Sequence, residues 1–190
     1  SGIRDMDFLK LDVQGAELSV LKGGRQLVTE KVLGIQVEVY LNPIYENSPL
    51  FPDVDAYIRK NLGMEIFDLR QSHWKYSKGR NFGPKKGQLV WGDALYLRSP
   101  ANTIKWLEQR NSDEPGNKII ILIFIGLLYG QVDYSLKILK EAKKRSLISK
   151  TDGELLESAI MKHCRALDYK FLGRGVLREA SRFVQGIVEN

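Results

Sequence analysis

The sequence holds a single cysteine, Cys164, and only two histidines, and each scarcity closes off a class of chemistry. One thiol can neither close an internal disulfide nor build a zinc site of several cysteines, so the chain is expected in a reducing compartment, the cytoplasm. Long apolar runs are missing too. The longest, Ile119 to Tyr129, is interrupted by Gly126 and bounded by Lys118 and Gln131. It falls well short of the roughly 20 residues that a bilayer span needs and reads as a buried helix. No single-signed charge stripe is present: the net charge of +6 is spread over several segments. That spread gives weak attraction for acidic partners and no nucleic-acid footprint. Neither an initiator Met nor a basic-then-apolar signal segment precedes the first hydrophobic stretch, so the expectation is a chain cut from a longer one.

What is there is globular. With 43% hydrophobic and 27% charged residues among 190, the chain can bury one sizeable core and carry an appendage. Asp7 to Val13 reads as a strand with apolar groups on both faces, followed by a Gln14-Gly15 turn and a short helix whose apolar side is Ala16, Leu18, Val20 and Leu21. Leu33 to Leu41 alternates, Ile35, Val37, Val39 and Leu41 on one face and Gln36, Glu38 and Tyr40 on the other, the period of a second strand parallel to the first. Pro52 opens a helix that Gly63 closes, and Met64 to Leu69 gives a third strand. A loop rich in Lys, Arg, Ser and Gly then runs from Gln71 to Gly87 before a last strand, Gln88 to Leu97, antiparallel to the third.

Beyond Ser99-Pro100 the pattern turns helical, which places a boundary near residue 100 between an α/β part, 1–100, and an all-α extension, 101–190. A first segment carries Ile104, Trp106 and Leu107, a polar hinge spans Asn111 to Asn117, and four helices follow at Lys118 to Tyr129, Val132 to Arg145, Asp152 to Leu167 and Gly175 to Val188. The corner Gly130 to Tyr134 is of the kind found in helical-hairpin repeats, although one corner sets no period.

The string from Asp7 to Glu17, DFLKLDVQGAE, continuing through Val20-Leu21-Lys22-Gly23-Gly24, resembles the middle signature of the FkbM family of methyltransferases. Val37-Glu38-Val39 with Asn42-Pro43, and Gly92-Asp93-Ala94-Leu95-Tyr96-Leu97, resemble later features of the same family in the same order. Over residues 5 to 100 the resemblance implies the fourth to seventh strands of a partial Rossmann-like methyltransferase sheet, parallel strands plus an antiparallel closing hairpin. It implies S-adenosyl-L-methionine as cofactor and a hydroxyl of a saccharide or secondary metabolite as acceptor. The family's glycine-rich cofactor turn has no counterpart here. Gly23-Gly24 follows a helix and Gly173-Arg174-Gly175 lies between helices, so both read as ordinary turns. Where the family often has Glu, this chain has Gln14, which keeps hydrogen bonding and loses the charge.

In open α/β sheets the ligand crevice lies outside the carboxyl ends of the strands, which is where Asp12, Gln14 and Asn42 fall. Asp12 and Gln14 are candidate cofactor contacts, Asp12, Glu38 and His73 candidate catalytic groups, and Asn42, Lys75 and Arg80 candidate acceptor contacts. Lys78, Lys85 and Lys86 would join the last two on a lid that draws in an acidic acceptor. Each has a plainer reading. Asp12 could cap the helix after it, Glu38 could pair with a basic residue on a covering helix, and Glu17 suits a first helical turn. His73 could be a loop residue beside Trp74 and Tyr76, and the basic loop could be solvated. His163-Cys164, adjacent on a helix, do not face each other. Three functions follow in order: a methyltransferase inactive as this fragment, a non-catalytic docking module of a larger protein, and a hydrolase using Asp12 and Glu38 with a metal. A strand edge left open by the absent half would invite a second copy.

Overall fold

In the computed structural model residues 6–76, 87–109 and 115–167 are described, the last five in backbone only. Lys78, Arg80, Lys85 and Lys86, the start of the 111–117 hinge, the glycines at 173 and 175 and the expected helix at 175–188 lie outside that set. The chain divides into two compact units, Ser1–Ser99 and Pro100–Asn190.

The first unit is built on four strands, β1 (Phe8–Leu11), β2 (Gly34–Tyr40), β3 (Glu65–Trp74) and β4 (Gln88–Leu97), in the order β1-β2-β4-β3. β1 and β2 are parallel, Leu11 opposite Val37, whereas β4 runs antiparallel to both its neighbours. The sheet is therefore mixed, with the parallel pair and antiparallel closing hairpin that the sequence leads one to expect. Between β1 and β2 come α1 (Glu17–Gly23) and α2 (Arg25–Lys31). Between β2 and β3 come α3 (Phe51–Tyr57) and a π-helical turn, Ile58–Leu62. Gly63 ends that turn at φ +65°, a left-handed conformation that glycine takes without a Cβ penalty.

These helices cover one face of the sheet. Ile35, Val37 and Val39 of β2 and Ala94 and Tyr96 of β4 are buried there with Leu21, Val28, Val54, Ile58 and Leu62. Alternation puts every second residue of a strand on that face, which is why an HPHPH pattern in β2 suffices to specify it. At the far end of β4 a buried arginine fastens the helical layer. Arg98 Nη1 donates to Leu62 O at 2.8 Å and Nη2 to Thr29 O at 3.2 Å, so one guanidinium meets the carbonyl-rich ends of α2 and the π-helical turn.

Three local expectations are corrected. β1 is not covered on both faces: Lys10 is exposed and only Leu11 is buried, because the strand lies at the margin of the sheet. α2 was not expected, since RQLVTEK offers only Leu27 and Val28 as an apolar side. Gln71 to Trp74, expected in a loop, continue β3, where pairing with β4 supplies the hydrogen bonds that their polar side chains do not signal.

The second unit is helical: α4 (Pro100–Glu108), α5 (Pro115–Leu128), α6 (Val132–Lys144) and α7 (Lys150–Leu167). α5 and α6 form a tight hairpin through Gly130 at φ +75°. They approach closely where Ser135 Oγ donates within the hairpin to Ile123 O at 3.0 Å, beside Gly126, whose place a Cβ would not share with that hydroxyl. Ser149 caps α7 by accepting the Asp152 N–H at 3.0 Å. No helix among the described residues is long and apolar enough to cross a membrane.

Candidate functional site

Three chain segments meet at one end of the sheet: the turn after β1, the segment after β2, and the end of β3 with the start of the antiparallel β4. The first is held from below. Glu17 is only 1% exposed, and its carboxylate accepts the backbone N–H of Val13 at 2.9 Å and of Gly15 at 3.0 Å. Those amides would otherwise have no partner at the start of α1, whose preceding residue, Ala16, offers no capping side chain. Asp12 therefore does not cap the helix. It stands exposed and accepts the Gln14 amide, Nε2 to Oδ1 at 3.0 Å.

Gln14 itself lies at φ +55° and Gly15 at φ +99°. A non-glycine residue in the left-handed region stores backbone strain that its surroundings must hold in place. Here the hold comes from the segment after β2: the Tyr45 hydroxyl donates to Gln14 Oε1, and a Cβ on Gly15 would stand 3.3 Å from both Ser48 and the Tyr45 ring. Tyr45 in turn packs edge-on against Tyr40, ring centroids 5.6 Å apart.

Glu38 faces away from the helical layer and accepts the Tyr40 hydroxyl. In register it sits opposite Asp93 of β4. Burial raises the Glu38 carboxyl above its ordinary 4.5, the Tyr40 hydrogen bond opposes this, and the negative charges of Asp12, Glu17 and Asp93 add to the rise. Burial and the bond to Glu38 likewise hold the Tyr40 phenol protonated. No ion pair between Glu38 and a basic side chain is seen among the described residues. Glu38 thus shares this end of the sheet with three other carboxylates.

Beside them opens a cleft of about 420 Å³. Asn42, Pro43, Ile44, Trp74, Tyr76, Gln88 and Val90 line it. Asn42 donates its side-chain amide to Leu89 O at 2.7 Å, tying the end of β2 to the start of β4. The Tyr76 hydroxyl donates to Gln88 Oε1. His73, within β3 and paired with Leu89, is not among the lining residues. Lys75 follows β3 and is exposed, and Arg80 lies outside the described residues. The structure thus brings Asp12, Gln14, Glu38 and Asn42 to one end of the sheet. The anchoring by Glu17 and the cleft-forming Trp74 and Tyr76 were not anticipated. For the aromatic pair the signal was present in their spacing, but residues 42–44, which line the cleft with them, come from some thirty residues earlier. Among the described residues no three or more His, Cys, Asp or Glu side chains are gathered to hold a metal ion.

A strand order with the last strand inserted beside the parallel pair, helices on the covered face, and a polar crevice at the carboxyl ends define a partial Rossmann-like α/β fold of the methyltransferase type. Residues 1–66 match the family model described as the Methyltransferase FkbM domain, which bears out the resemblance over that stretch and marks a methyltransferase in general terms. No curated protein and no solved structure gives a significant match.

Proposed function

We propose that the chain carries the acceptor half of a methyltransferase that uses S-adenosyl-L-methionine and methylates an oxygen, a hydroxyl of a saccharide or secondary metabolite. In this reading residues 1–100 are the carboxy-terminal half of the catalytic domain and the helices from residue 101 an extension. The observation that carries it is the FkbM-domain match, because its span includes Asp12, Gln14, Glu38 and Asn42, all at the crevice end of the sheet. The donor set suits the cofactor. A sulfonium is a cation, and the acidic side chains of Asp12, Glu17, Glu38 and Asp93 gather at this end of the sheet. Asp12 and Gln14 would touch the cofactor, and other parts of the domain would supply most of its contacts. When bound it supplies an electrophilic methyl group.

The chain's own part is to place and deprotonate the acceptor. A hydroxyl brought to this end of the sheet must lose its proton as its oxygen gains the methyl group, and Glu38, with its raised pKa, takes that proton better than an ordinary carboxylate. The Tyr40 hydroxyl fixes the Glu38 orientation by its hydrogen bond. His73 has no part in this scheme.

The test is transfer of labelled methyl from S-adenosyl-L-methionine to a panel of hydroxylated acceptors by the protein encoded in full. Asp12→Asn should lower transfer about tenfold through a weaker hold on the cofactor, with the melting temperature unchanged. An Asp12→Asn protein as active as the parent, or no transfer to any acceptor together with no affinity for S-adenosylhomocysteine, would overturn the reading.

A further inference from the structure

We infer that the cleft beside the strand ends binds a neutral sugar ring, with Trp74 as its stacking platform and specificity-determining residue. That the ring is the methyl acceptor rests on the function proposed above; that the cleft binds it does not. The first observation is exposure in a concave place. Trp74 is 53% exposed and Tyr76 85%, both on the wall of a cleft whose volume lies in the range of small-molecule sites, roughly 300–1,000 Å³. Exposed indole and phenol rings lose little conformational entropy on contact and offer flat apolar faces, which match the axial C–H surface of a pyranose.

The second observation is directional. Asn42 spends its amide N–H on Leu89 O, so its Oδ1 remains to accept, whereas Gln88 accepts the Tyr76 hydroxyl on Oε1, so its Nε2 remains to donate. One acceptor and one donor therefore stand among the residues that line the cleft. Sugar hydroxyls, which donate and accept at once, satisfy both groups. The third observation is charge: the described lining side chains are all uncharged, a surface that suits the neutral ring of a sugar.

The test is a titration of the ¹⁵N-labelled chain with methyl β-D-glucopyranoside and methyl α-D-mannopyranoside, against glucose 6-phosphate and adenosine, reading the three indole N–H resonances. The Trp74 resonance, assigned by its loss in Trp74→Phe, should move with a neutral glycoside while those of Trp91 and Trp106 stay still. Trp74→Phe should retain affinity, followed on backbone amides of the cleft. Trp74→Ala should weaken it about tenfold, the scale of one lost aromatic stack. If Trp74→Ala fails to fold, Tyr76→Ala carries the same expectation. No movement with either glycoside, or a larger response to glucose 6-phosphate or adenosine, overturns the inference. Because no methyl donor is present, glycoside binding without methyl transfer would sink only the enzymatic reading, and transfer without glycoside binding only this one.

Discussion

The turn after β1 and the cleft between β2 and β3 lie at the same end of one sheet and are built in opposite ways. The turn is polar, strained at Gln14 with its positive φ, and fastened from beneath by the buried Glu17, with Tyr45 bonded across it. The cleft wall is aromatic and open, its Trp74 and Tyr76 held chiefly by strand pairing and one hydroxyl contact. A centre that must align reacting atoms has to be rigid, and a wall that admits a ligand has to leave surface uncovered. The contrast predicts that stability is concentrated in the turn and ligand affinity in the wall.

The largest effect should come from Glu17→Ala. Two backbone amides lose their acceptor in a buried place, a destabilisation of roughly 2–4 kcal/mol measurable by denaturant unfolding. Glu17→Gln, which keeps an acceptor oxygen, should recover part of it. Next comes Gly15→Ala, which asks an L-residue to hold φ +99° while its Cβ presses on Ser48 and Tyr45. It should cost about 1–2 kcal/mol in the same experiment.

Glu38→Gln should act more gently and with a definite sign. The folded pKa of Glu38 is raised, so its contribution is intact below the unfolded value and is lost as pH climbs through the folded one. The Gln variant should therefore melt higher than the parent at neutral pH, by on the order of 1–3 °C, and this advantage should vanish in acid. In a methyl-transfer assay the acid limb of the pH profile, set by protonation of Glu38, should disappear in the same variant. The smallest effect on stability is expected for Trp74→Ala, within about 0.5 kcal/mol, despite its loss of ligand. A Trp74→Ala change that unfolded the unit, or a Glu17→Ala change that did not weaken it, would erase the distinction between turn and wall.

The sheet was legible where burial imposes a period. Ile35, Val37 and Val39 alternate because one face of β2 is buried, and the limits of β4 at Gln88 and Leu97 follow from apolar residues on either side of Gly92-Asp93. Pro52 and Gly63 marked a helical segment by backbone constraint alone, though not its π-helical end. The outer half of β3 was illegible, since Gln71 to Trp74 are strand by virtue of β4 and not of their own pattern. At the site, Asp12, Gln14 and Asn42 could be placed from the general rule about strand ends. Glu17 could not be told from any acidic residue at a helix start, because its role depends on where two backbone amides point. The cleft required knowing that residues 42–44 and 74–76 come together, which is a property of the strand order and of no local sequence.

That order has a consequence for how the molecule is made. β4 leaves the ribosome after β1, β2 and β3, yet it sits between β2 and β3, which have no pairing with each other. Until residue 97 has emerged, β3 has no partner strand and both it and one side of β2 must wait exposed, a period in which non-local pairing is slow and unpaired strands attract other chains. Chaperone demand should accordingly peak in synthesis just before β4 appears, and a chain ending before Gln88 should be caught as an aggregate and not as a smaller fold.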